Sequence, residues 1–118
     1  WRLLPAHVLV TLALAIAAAW ALACATRLRA APTIAVLVLV LFGGLVADHL
    51  LAVPAARHPL AVLLYGALPN WQHYWLADAL AGGGRISWLY VAATVPYTVC
   101  YTAGVLCVGL LCFRRRQF

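Results

Sequence analysis

Residues 86–113, ISWLYVAATVPYTVCYTAGVLCVGLLCF, carry no formal charge. As a helix rising about 1.5 Å per residue, such a run is roughly 42 Å long, more than the hydrocarbon core of a bilayer at about 30 Å. It must tilt or bend to fit, and Pro96 supplies a bend, because it cannot donate to the carbonyl of Ala92. Two further runs are long enough to cross: residues 3–26, uncharged, and residues 33–53, which hold Asp48 and His49 near their end. The chain is 68% hydrophobic and 8% charged, against about 45–50% apolar residues in soluble domains. The expected fold is an all-α integral membrane unit with three transmembrane helices.

The few charges sharpen that reading. Lysine is absent, and the arginines are dispersed or sit at the ends of apolar runs, which argues for topological anchoring and against a nucleic-acid face. Arg27 and Arg29 in the first link and Arg114, Arg115 and Arg116 in the tail oppose Arg2, Arg57 and Arg85. By the positive-inside rule the first link and the C-terminus are expected in the cytoplasm, and residues 54–85 outside. Methionine is absent and Trp1 is too bulky for ready removal of a preceding initiator, so the chain is expected to be part of a longer polypeptide. The four cysteines form no C-x-x-C and read as free thiols.

Small residues suggest where helices approach. Ala13, Ala17, Ala21 and Ala25 recur every fourth position in the first run, and Gly43, beside Gly44, stands four before Ala47 in the second. Pro32 suits the first turn of the second helix, where a missing N–H costs nothing.

Between the second and third runs the character changes. Residues 60–68, LAVLLYGAL, are apolar but too short to span, and Pro69 stops them. Asn70 is a candidate N-cap for a second short helix, 71–81, closed by Gly82, Gly83 and Gly84. On that helix Trp71, Tyr74, Trp75 and Asp78 share one broad face, and Trp and Tyr favour the headgroup level. The pair reads as an external re-entrant element packed on the other helices, with an amphipathic helix lying on the membrane surface as the alternative.

The sequence L-P-N-W-Q-H-Y-W-L-A-D-A-L at 68–80, the terminal F-R-R-R-Q-F at 113–118, A-T-R-L at 25–28 and G-G-L-V-A-D-H-L at 43–50 resemble the C-terminal half of bacterial type-2 ATP-binding-cassette (ABC) exporter permeases. The resemblance implies half of a six-helix permease in the bacterial inner membrane, with both termini of the subunit cytoplasmic and short re-entrant helices between the fifth and sixth spans. It implies an ABC ATPase subunit or domain as partner, holding ATP and Mg, and a second permease half or a homodimer. The cytoplasmic coupling loop of such subunits is not in this chain.

The chain itself offers little chemistry. No G-x-x-x-x-G-K-[ST] occurs, so no nucleotide phosphate is cradled here, and no catalytic residue, cofactor or metal is expected in this chain. His7 and His49 both lie toward the expected external ends of their helices and raise the alternative of a haem or quinone redox subunit. Asp48 and Asp78, the two acids, are candidates for a transport role or for pairing with Arg57 or Arg85. Tyr90, Thr94, Tyr97 and Tyr101 share a face of the last helix, lining a path or bonding to neighbouring helices. A purely structural or assembly protein is the third reading.

Overall fold

The computed structural model describes residues 1, 3–76 and 81–115. Its elements are α1 (Leu4–Ala25), α2 (Ala30–Ala55), α3 (Pro59–Ala67), one 3-10 turn (Trp71–His73) and α4 (Trp88–Arg114). No strand occurs among the described residues. Three helices are long and apolar enough to cross a membrane: α1, α2 over Ala30–Leu51, and α4.

Local chemistry sets the helix starts. Pro5 and Pro59 sit in the first turns of α1 and α3, where a proline sacrifices no hydrogen bond. Ser87 opens α4 by accepting the Leu89 N–H at 3.2 Å. The second helix begins earlier than residue 33 and takes Pro32 into its first turn. Helix α4 continues through Pro96 as a single element.

Helices α1 and α4 form the main packed pair and run parallel. At one end Arg27 reaches Cys112; at the other Trp1 and Pro5 share a cleft with Arg85, Ile86 and Trp88. Helix α1 buries Pro5, Leu9, Ile16 and Ala19, and α4 buries Val91, Thr94, Thr98 and Gly109. Closest approach falls at Gly109, where an added Cβ would lie 3.0 Å from both Cα and Cβ of Ala23. The seam on α1 therefore includes Ala19 and Ala23; of the Ala13–Ala25 series, Ala13 and Ala17 pack against the core, Ala21 is half-buried and Ala25 is exposed.

The core is centred on the segment between α3 and α4, whose Trp71 and Tyr74 cluster with Leu9, Val40, Ile86 and Val91. Large apolar side chains elsewhere, including Leu39, Phe42, Leu63, Val99 and Leu110, are exposed.

Over its described residues 71–76 that central segment departs from the expected helix, while residue 81 is helical. Trp71–His73 form a single 3-10 turn, Tyr74 closes it, and Trp75 and Leu76 are not helical. A 3-10 turn has about three residues per turn, so positions three apart eclipse. Trp71 and Tyr74 thus point together into the core, their rings 6.3 Å apart at 57°. Trp75 leaves their face and is 73% exposed. Asp78, the remaining member of the predicted face, lies outside the described residues.

Candidate functional site

Three chain segments converge at the elbow that follows α3. Leu68 and Asn70 are extended, Pro69 between them is fully buried, and the chain reverses into the 3-10 turn. Asn70 caps that turn, its Oδ1 accepting the Gln72 N–H at 3.1 Å.

The other end of the Asn70 amide engages α2. Its Nδ2 donates to both carboxylate oxygens of Asp48, at 3.1 and 3.2 Å. The Tyr65 hydroxyl, from α3, donates to Asp48 Oδ1 at 2.6 Å. Asp48 thus holds α3 and the elbow against α2 with neutral donors. Among the described residues it forms no ion pair, so pairing with Arg57 or Arg85 is replaced by these bonds. The Tyr65 phenol is raised above its ordinary value, chiefly by its hydrogen bond to Asp48, then by burial and by the carboxylate's charge.

A second attachment to α2 runs through Trp71, whose indole N–H donates to the Val40 carbonyl at 3.2 Å. Gly44 stands one helical turn beyond Val40, and a helical Cβ leans back over the preceding turn. A methyl group at Gly44 would therefore collide with the Trp71 ring and the Pro69 carbonyl oxygen. Gly43 differs: a Cβ there would meet only the flexible Leu68 side chain, at 3.3 Å. The close approach on α2 is thus made by Gly44, and it admits the elbow. Gln72 adds a longer bond to the Leu45 carbonyl at 3.4 Å.

Helix α4 also bonds to this region. The Tyr90 hydroxyl donates to the His73 carbonyl at 2.9 Å. The buried hydroxyls of Tyr74 and Thr98 lie 2.6 Å apart, and Thr98 gives its single proton to the Thr94 carbonyl at 2.9 Å, which makes Tyr74 the donor between them. Burial leads in raising the Tyr74 phenol above its ordinary value. The Tyr101 hydroxyl donates to the Ala67 carbonyl and accepts the Trp20 indole N–H at 3.2 Å, tying in α1. Tyr97 makes ring contacts instead, edge-on to His73 at 6.1 Å and tilted against Tyr101 at 6.0 Å.

Tyr90 therefore bonds directly to the returning segment and Tyr101 to the last residue of α3, and Thr94 acts through its backbone. Tyr97 lines a cleft of about 230 Å³ with His73, Tyr90, Ala93 and Thr94. Comparison with protein-family models, curated proteins and solved structures gave no match.

Among the described residues no hydrogen bond or ring contact joins His7 to His49. The His7 ring Nδ1 lies 2.8 Å from the Leu3 carbonyl, a local contact on α1, while His49 is exposed on α2. Among the described residues no three His, Cys, Asp or Glu side chains cluster to hold a metal ion. Sequence reasoning missed Trp20, Tyr65 and Thr98. Their partners lie 81, 17 and 24 positions away along the chain, so no local pattern marks them.

Proposed function

We propose that this chain is the membrane-embedded part of a transporter of the type-2 ABC exporter kind. In this reading α1, α2 and α4 cross the bilayer, and α3 with its 3-10 turn is a re-entrant element at the external face. The apolar girdle of exposed Leu, Val and Phe side chains is the surface that lipid or a second permease half covers. Arg27, Arg29, Arg114 and Arg115 end one side of the bundle and Arg57 and Arg85 the other, which by the positive-inside rule sets the first group in the cytoplasm. ATP is hydrolysed, with Mg, by a partner on that face.

One observation carries the reading. The elbow at Leu68–Trp71 and the turn that ends at Tyr74 are irregular backbone between helices of spanning length, with Pro69, Trp71 and Tyr74 buried; Asn70 and Trp71 bond to α2 and Tyr74 to α4. Irregular backbone at membrane depth survives only where protein or a wet cavity covers it. A surface anchor has no use for a half-span stitched to two neighbours, whereas a gate at the outer mouth of a pathway does.

The test uses Trp75→Cys in a background free of native cysteines, in right-side-out vesicles containing the protein and its co-purified ATPase. Labelling by a membrane-impermeant thiol reagent is measured before and after vanadate traps the ATPase. A change in labelling rate supports a moving external element. An invariant rate, or the absence of any co-purifying ATPase, rejects the proposal.

A further inference from the structure

A cleft of about 500 Å³ opens where α1 and α4 end together, lined by Arg27, Val108, Leu111, Cys112 and Arg115. Arg27 is fixed within it, since its Nε and Nη2 both donate to the Cys112 carbonyl, at 3.2 and 3.0 Å. That carbonyl belongs to the last turn of α4, where carbonyls lack intrahelical donors and the helix end is partly negative. The bonds hold the guanidinium in place and leave its Nη1 donors uncommitted among the described residues. The Arg115 side chain likewise makes no hydrogen bond or ion pair there among the described residues.

Charge at this end is one-sided. Arg27, Arg29, Arg114 and Arg115 all lie here, while Asp48 stands eighteen residues into α2, about 27 Å away along the helix. The C-terminal ends of α1 and α4 contribute only about half a negative charge each. The cleft is therefore a cationic site with no described carboxylate to neutralise it.

The rest of its lining is apolar. Val108 and Leu111, three positions apart, share a face of α4 and are both 60% exposed. Two arginines lining one cleft with an aliphatic strip suit an amphiphile, because the planar fork of arginine matches phosphate oxygens and the strip matches a hydrocarbon chain. A soluble phosphate would use only the first half of this surface.

We propose that this cleft binds an anionic phospholipid, its phosphodiester on Arg27 and Arg115 and one acyl chain along Val108 and Leu111. Basic pockets at the ends of spanning helices select such headgroups. The assignment rests on α1 and α4 crossing the bilayer and does not depend on transport.

The experiment is native mass spectrometry of the purified protein in neutral detergent, with equal concentrations of dioleoyl phosphatidylglycerol and dioleoyl phosphatidylcholine. Phosphatidylglycerol should be retained preferentially, with one molecule per chain tightest. Arg115→Gln should weaken that retention about fivefold, the contribution of one arginine near a membrane surface, and Leu111→Gln should weaken both lipids. Arg27→Gln also removes the bond to Cys112, so Arg115→Gln is the decisive variant, with Arg57→Gln as the equal-charge control. Equal retention of the two lipids, or an equal loss in Arg57→Gln, overturns the site. Displacement of the bound lipid by glycerol 3-phosphate at matched concentration overturns the lipid assignment in favour of a soluble phosphate.

Discussion

The amide of Asn70 faces two ways: its oxygen caps the 3-10 turn at Gln72, and its nitrogen donates to both oxygens of Asp48. Asparagine fits because it is short and carries an acceptor and a donor on one plane. Asn70→Asp keeps the cap but deletes the donor and sets a second carboxylate against Asp48. Hydrogen bonds to charged groups contribute about 1.5–3 kcal/mol, and Asn70→Asp should lose at least that much, more than Asn70→Ser. The reciprocal double variant, Asp48→Asn with Asn70→Asp, restores one donor and one carboxylate and should recover much of the loss. Thermal unfolding in detergent measures all three, and an unrecovered double variant would deny the pairing.

Adjacent glycines on α2 make a second, sharper comparison. Gly44→Ala drives a methyl into the Pro69 carbonyl and the Trp71 ring, neither of which is free to swing away. Overpacking of this kind costs about 1–3 kcal/mol. Gly43→Ala meets only the end of the Leu68 side chain, at 3.3 Å, and replaces a helical glycine, which favours the helix by about 1 kcal/mol. The expected order of melting temperatures is Gly43→Ala at or above the parent and Gly44→Ala below it. The reverse order would place the close approach elsewhere.

Tyr65 links α3 to pH. Its folded pKa is raised above the ordinary value, so it contributes stability that is complete below about pH 10 and is lost as pH rises through the folded value. Tyr74, raised mainly by burial, acts in the same direction. The melting temperature should therefore fall at alkaline pH. Tyr65→Phe should be less stable at neutral pH and lose less on alkalinisation, because one phenol with a raised pKa is gone. An alkaline fall identical in Tyr65→Phe and the parent would assign the limb to other groups.

Much of the helical layout was legible because it depends on single runs of residues. Pro5, Pro32 and Pro59 lie in first turns and Asn70 at a cap, positions that local chemistry dictates. Packing was less legible. On an apolar helix the residues that face neighbours and those that face outward are equally hydrophobic, so periodicity gives no phase: Ala19 and Ala23 are no more conspicuous than the exposed Ala15, Ala18 and Ala25. Gly43 and Gly44 are adjacent and chemically identical, and only the Trp71 indole, arriving from 27 positions on, separates them. Over residues 71–76 the expected helix gives way to a 3-10 turn for a related reason. Trp71 and Tyr74 each have a partner on a different helix, Val40 on α2 and Thr98 on α4, and the tighter 3-10 turn brings both residues to one side.

The parallel run of α1 and α4 makes sidedness testable without a substrate. Because Arg27 meets Cys112 at one end and Pro5 shares a cleft with Ile86 at the other, the link after α1 and the end of α4 lie on the same side of the bundle. Arg29 belongs to that side, and Gly83, at φ +72° in the exposed turn before α4, to the other. In a background free of native cysteines, Arg29→Cys and Gly83→Cys should therefore differ in intact cells. The arginine bias predicts that an impermeant thiol reagent labels Gly83→Cys and spares Arg29→Cys until the cells are opened. Labelling of Arg29→Cys alone would invert the bundle in the membrane. Labelling of both in intact cells would mean that the two ends share a side, and that α2 does not cross.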